Sequence, residues 1–179
     1  MLSKKMEKAI NDQITWEFYS AYIYLAMAGW FQEQGLPGFG NWMEVQYQEE
    51  VFHATKMFHY VLEAGGSVDL GAIAKPKVRW KKPVDAFQEA LAHEQGVTAR
   101  INALVDLAQK EKDHATNNFY QWFVSEQVEE EANVTDILGK LKLVGDGGAL
   151  FMLDKDLAAR VFTPPAGAQG RQGRPGREP

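Results

Sequence analysis

Residues 43–61 read MEVQYQEEVFHATKMFHYV. Alternating steps of three and four pick out Met43, Tyr47, Glu50, Ala54, Met57 and Val61, one face of a helix at 3.6 residues per turn. That face is apolar except at its centre, where Glu50 sits. A lone carboxylate buried without a partner costs several kcal/mol or stays protonated. The same anomaly recurs on three other helical stripes. The first carries Ile10, Ile14, Glu17, Ala21, Tyr24 and Ala28. The third carries Phe87, Leu91, Glu94, Thr98, Ile101, Val105 and Ala108. The fourth carries Tyr120, Phe123, Gln127, Glu130, Val134, Ile137 and Leu141. One acid at mid-helix in each of four stripes is a pattern rather than an accident.

Punctuation sets the helix limits. The first helix runs from an N-cap at Ser3 to Gln34 and is closed by Gly35-Leu36-Pro37-Gly38. The second runs from Phe39 to Ala64, before Gly65-Gly66. The third opens near Pro83 and Asp85 and reaches Lys112; the fourth spans Ala115 to Val144. A short fifth segment, Ala149 to Val161, carries Leu150, Phe151, Leu153, Leu157 and Val161. Short links within each pair imply antiparallel hairpins, and the long link Ser67–Lys82 can cross the length of a bundle. The expected architecture is an all-α, up-down-down-up four-helix bundle with a long crossover and a short fifth helix. Residues 1–162 form it. Residues 163–179, rich in Pro, Gly and Arg, read as a flexible tail.

Composition narrows the chemistry. The chain has 179 residues, 24 acids against 19 Lys and Arg, and no Cys. Disulfides, thiolate metal sites and a Cys nucleophile are therefore excluded. The net charge of −5 divides into −7 on residues 1–162 and +2 on the tail, which disfavours nucleic acid as a partner. No apolar run is long enough to span a membrane, and the N-terminus lacks the apolar core of a signal peptide. The expected location is the cytoplasm.

Heights along the bundle can be checked from numbering alone. Residues facing each other across a hairpin average to its turn. Glu17 and His53 average to position 35, and Glu94 and Glu130 to position 112, each at a turn. An offset of 77 also carries Glu17 to Glu94, Glu49 to Glu126, Glu50 to Gln127 and His53 to Glu130, as a diverged duplication does. Glu50-x-x-His53 and Gln127-x-x-Glu130 place their side chains on one helix face. With Glu17 and Glu94 they make a carboxylate cage with one imidazole, a donor set suited to a pair of iron or manganese ions. A Glu from each of two helices plus Glu-x-x-His motifs from the others is the known pattern of di-metal bundles. Tyr24 reads as a core tyrosine or as a donor to the cage, and the second is the expectation. His59, His93 and His114 lie off the stripe or in a turn and read as surface or packing residues, as does Trp122. Glu131 reads as a solvated acid.

These residues, together with Phe39-Gly40-Asn41-Trp42-Met43 and Trp122-Phe123-Val124-Ser125-Glu126-Gln127-Val128-Glu129-Glu130-Glu131, resemble the prokaryotic non-haem ferritins. The resemblance spans residues 3–162. It implies a homo-oligomeric hollow shell, normally of 24 subunits, that oxidises Fe(II) with O₂ or peroxide and stores ferric mineral. It also implies one iron on Glu17, Glu50 and His53, and a second on Glu50, Glu94 and Glu130 with Gln127 close by. A third iron site is expected on Glu49, Glu126, Glu129 and Glu130. Haem is not expected, because Val51 stands where haem-binding relatives place Met. Animal ferritins line a three-fold channel with acids at positions corresponding to Asn117 and Tyr120, which are neutral here. Rival readings are a solitary di-iron oxygenase or peroxidase of the same fold, and a structural shell protein with an inert site.

Overall fold

The computed structural model describes residues 2–145 and 147–164. Five helices follow in order: α1 Lys4–Glu33, α2 Pro37–Glu63, α3 Pro83–Glu111, α4 His114–Val144 and α5 Gly148–Leu157. No strand occurs among the described residues. Residues 165–179 of the expected tail lie outside them.

The ends of the helices follow local chemistry. Ser3 Oγ accepts from Met6 N at 3.0 Å, and Asp113 Oδ1 from Thr116 N at 3.0 Å, satisfying donors that an α-helix leaves free in its first turn. The Asp113 cap starts α4 at His114, one residue before the expected Ala115. Helix α2 begins at Pro37, two residues before the expected Phe39, because Pro at the first helical position has no N–H to satisfy. Its missing side-chain cap comes from far away in sequence: Asp154 Oδ1 of α5 accepts from Phe39 N at 2.9 Å. Helix α3 stops at Glu111, with Lys112 in the left-handed conformation at φ 57°. Helix α5 ends at Leu157 rather than Val161, because Asn41 Nδ2 takes the Arg160 carbonyl at 2.9 Å and holds the following chain away from the helical path.

Topology is set by the crossover. Helices α1 and α2 pack as one antiparallel hairpin, α3 and α4 as the other. The crossover starts beside the lower part of α1, where Asn11 binds the Ser67 carbonyl and the Asp69 N–H, and Thr15 accepts from Gly71 N. It finishes beside the upper end of α1, where Arg79 pairs with Glu33 and Trp80 meets Trp30 edge-on at 5.6 Å. At 1.5 Å per residue, Asn11 to Glu33 is about 33 Å of helix. The link therefore climbs most of the bundle, so that α3 descends parallel to α2 and the order is up-down-down-up.

The core is split in two. An upper cluster centres on Tyr24, Met27, Phe31, Phe39, Met43 and Phe87. A lower one centres on Ile10, Ile14, Met57, Ile101, Tyr120 and Phe123. Between them lies a buried polar layer. The inward stripes expected on α1 and α4 are buried at every position. On α3 the buried set is Ala86, Phe87, Ala90, Glu94, Val97, Ile101, Leu104 and Ala108, so Leu91, Thr98 and Val105 lie at the stripe's edge rather than in it. On α2, Gln46 turns inward at the position expected for Tyr47.

Candidate metal centre

The polar layer is built from one turn of each long helix. Glu17, Glu50, His53, Glu94, Gln127 and Glu130 are each at most 4% exposed. The ligand atoms of Glu17, Glu50 and His53 all lie within 4.8 Å of one another. His53 Nδ1 is 3.6 Å from Glu50 Oε2. Glu17 Oε2 and Glu50 Oε2 are buried without a hydrogen-bond partner. Two carboxyl oxygens without a partner beside an imidazole in a dry core are a donor set that a cation could satisfy.

Glu94 and Glu130 are held differently. The Tyr24 hydroxyl donates to Glu94 Oε1. Gln127 Nε2 lies 3.2 Å from Glu94 Oε2, 3.3 Å from the Glu94 carbonyl and 3.3 Å from Thr98 Oγ1. Gln46 Nε2 donates to Glu130 Oε2 at 2.8 Å. Among the described residues, Glu50, Glu94 and Glu130 do not close to one three-residue group of the spacing seen for Glu17, Glu50 and His53. Their carboxylates nevertheless feel one another strongly, as their protonation shows.

Burial pushes all four acids up. Glu17 lies above the usual carboxylate range, and Glu94 is pushed up to about 7, in each case by loss of water first. Glu50 and Glu130 lie well above the range; after burial the next cause is the Glu94 charge in both cases. The Tyr24 phenol is held well above its ordinary value by burial and by the charges of Glu94, Glu50 and Glu130, so it donates and does not ionise. Burial depresses His53 to about 3, with Lys56 adding to it, which keeps the imidazole neutral and able to bind a metal. A neutral imidazole beside buried carboxyl groups is a donor set that could hold a hard or borderline metal.

The residues expected for a third site divide. The ligand atoms of His53, Glu126 and Glu130 lie within 4.8 Å of one another. Glu129 is exposed on the same helix. Glu49 stands apart from that group, its Oε2 held 2.6 Å from Arg160 Nη2. Tyr120 is wholly buried in the lower cluster, so of the two residues compared with a channel lining only Asn117 reaches the surface.

Of the histidines set aside, His93 packs: its Nε2 is 2.7 Å from Ser20 Oγ, its ring stacks on Trp16 at 5.7 Å, and burial lowers it to about 4. Trp122 meets His53 edge-on at 5.6 Å and carries Lys56 Nζ 4.5 Å from its ring centre.

Sequence reasoning missed three supporting residues. Gln13 Nε2 donates to Glu17 Oε1 at 2.9 Å, and Arg100 Nε in turn donates to Gln13 Oε1 at 2.8 Å. Gln46 is the third. Gln13 and Gln46 each precede a caged Glu by four residues, Glu17 and Glu50, and that spacing was a usable signal.

Residues 7–144 match the ferritin-like domain family. The chain is 41% identical over 160 residues to the bacterial non-heme ferritin of Bacteroides fragilis, covering 89% of this chain and all of that one. It is 39% identical over 163 residues to that of Staphylococcus haemolyticus, covering 90% and 98%. Among solved structures, an open pore ferritin from the archaeon Archaeoglobus fulgidus superposes with a TM-score of 0.89 at 52% identity, over 90% of this chain and 99% of that one.

Proposed function

Because the chain belongs to the ferritin family, we propose that it is an iron-storage subunit that oxidises Fe(II) to Fe(III) at a two-iron centre in its polar layer. The observation that carries the reading is the convergence of Glu17, Glu50 and His53 to ligand spacing, with two buried carboxylate oxygens left without a partner. Iron is the substrate and the cargo. The first Fe(II) takes Glu17, Glu50 and His53; the second takes Glu50, Glu94 and Glu130. Protons held on the buried acids leave as each dication enters. Two Fe(II) then give one electron each to O₂, which with two protons becomes H₂O₂; peroxide as oxidant takes the same two electrons and two protons to water.

Gln127 tunes the second position. Its amide is a neutral group beside Glu94 where a further anion would bind iron more firmly. That weak hold favours passage of Fe(III) onward over retention. Tyr24, fixed as a donor to Glu94, orients that carboxylate.

A homo-oligomeric shell of 24 subunits in the cytoplasm fits the family and the surface. Tyr22, Leu25, Leu70, Ile73 and Val78 on α1 and the crossover are each more than 40% exposed, an apolar face suited to a second copy. No described helix is long and apolar enough to cross a membrane.

The test is aerobic Fe(II) addition followed by native mass and a bound-iron count. The expected result is rapid ferric absorbance on a large assembly, and loss of the rapid phase in Glu130→Ala with the assembly mass unchanged. Unaltered rapid oxidation in that variant sinks the assignment. A small native mass with turnover points instead to a solitary di-iron enzyme.

A further inference from the structure

The chain beyond α5 folds back over α2. Asn41 Nδ2 binds the Arg160 carbonyl at 2.9 Å, and the Phe162 ring lies 6.4 Å from that of Phe52. Between these anchors the Arg160 guanidinium lies 4.5 Å from the centre of the Trp42 ring. It reaches the Trp42 carbonyl at 3.5 Å and closes on Glu49 Oε2 at 2.6 Å. The two side chains are only 20% and 23% exposed. A stacked, largely buried guanidinium on a carboxylate is a charge-assisted contact of the stronger kind.

Glu49 is an odd place for such a contact. It adjoins Glu50, and the charges of Glu126 and Glu129 bear on it. Glu49, Glu126 and Glu129 are, with Glu130, the acids on which a third iron is expected. Glu49 is engaged by Arg160 and is not part of the closed group of His53, Glu126 and Glu130.

We propose that Arg160 is a built-in competitor for Glu49: it keeps the third iron position weak, so that iron passes through rather than stays, and iron arriving there frees the strap 158–162. The inference rests on the functional reading above and adds a residue to it. A dication and a guanidinium cannot share one carboxylate oxygen without loss to both. By linkage, what Arg160 costs the metal, the metal costs the strap.

Anaerobic Fe(II) titration of the assembled chain by calorimetry tests this. Arg160→Gln is expected to tighten the weakest class of site about tenfold, equivalent to about 1.4 kcal/mol, and to leave the two tighter sites within about twofold. Arg160→Lys, which keeps the charge but loses the fork, is expected to fall between. In a Glu49→Gln background, Arg160→Gln is expected to change nothing, a non-additivity that a purely structural clasp does not produce. The unsubstituted chain offers a second readout: Fe(II) at saturation speeds amide hydrogen exchange in residues 158–162. A weakest class indifferent to Arg160, or exchange in the strap unmoved by Fe(II), overturns the inference while the two-iron reading stands. Failure of the unsubstituted chain to bind two Fe(II) tightly overturns both.

Discussion

At the scale of single residues, the centre is a place where stability is given up. Glu50 is buried beside Glu17, with the charges of Glu94 and Glu130 also acting on it, and one of its oxygens has no partner. Replacing it with the isosteric amide removes an acid that the fold must keep protonated against its tendency to ionise in water. Glu50→Gln is therefore expected to stabilise the metal-free chain by about 1–2 kcal/mol. On the proposed two-iron reading the same change removes an oxygen shared by both irons and should abolish tight Fe(II) binding. Thermal denaturation in chelator, paired with anaerobic titration, checks both halves; a variant less stable than its parent contradicts the account. Most of this residue-level picture was legible beforehand. Glu17, Glu50, Glu94 and Glu130 betray themselves as acids on apolar stripes, and helix period alone turns them inward. Gln13 and Gln46 are neutral amides whose one signal is their place four residues before Glu17 and Glu50, a spacing that has meaning only once those acids are read as a cage.

At the scale of elements, the fifth helix shows how a short segment is kept. Ten residues are too few to be stable alone. Helix α5 buries Leu153, lends the Asp154 carboxylate to the first turn of α2, and approaches so closely that a Cβ on Gly38 would fall 1.6 Å from the Asp154 carbonyl oxygen. Gly38→Ala is expected to cost about 1–3 kcal/mol and to raise hydrogen exchange across 148–157 before the rest of the bundle opens. Exchange in α5 equal to that of the parent refutes the docking argument. The Gly35-Leu36-Pro37-Gly38 turn marks the break between helices in sequence, yet nothing in it announces that Gly38 also makes room for a helix over a hundred residues later.

At the scale of the whole molecule, the polar layer governs the response to pH. The unfolded chain ionises its carboxylates near 4.5, whereas the folded chain holds Glu94 protonated to about 7 and raises Glu50 and Glu130 well above the usual range. Folding thus retains protons that unfolding releases, and these acids subtract stability as pH rises above 4.5. His53 and His93, depressed to about 3 and about 4, act the other way: stability is lost as pH falls below 6.5, where only the unfolded chain takes up their protons. The two effects oppose each other between 4.5 and 6.5, and above 6.5 the acids act alone. Denaturant midpoints of the metal-free chain are therefore expected to fall between pH 6.5 and 8, and Fe(II) affinity to rise over the same interval as fewer protons need displacing. Midpoints that are flat or rising would contradict the retention of protons on these buried acids.

The sequence by itself determined the four long helices, their hairpin pairing and the level at which the acids meet, because a 3.6-residue period and a hairpin's mirror arithmetic need no knowledge of partners. Only the tertiary structure decided the rotation of each helix about its axis. A stripe fixes a face no more finely than one residue either way, and packing chose Ala90, Val97 and Leu104 on α3 and Gln46 on α2. Tertiary structure alone also brought Arg160 onto Glu49 and Asp154 onto α2, contacts across more than 110 residues. Such contacts follow from how separate elements dock, and no local periodicity records that.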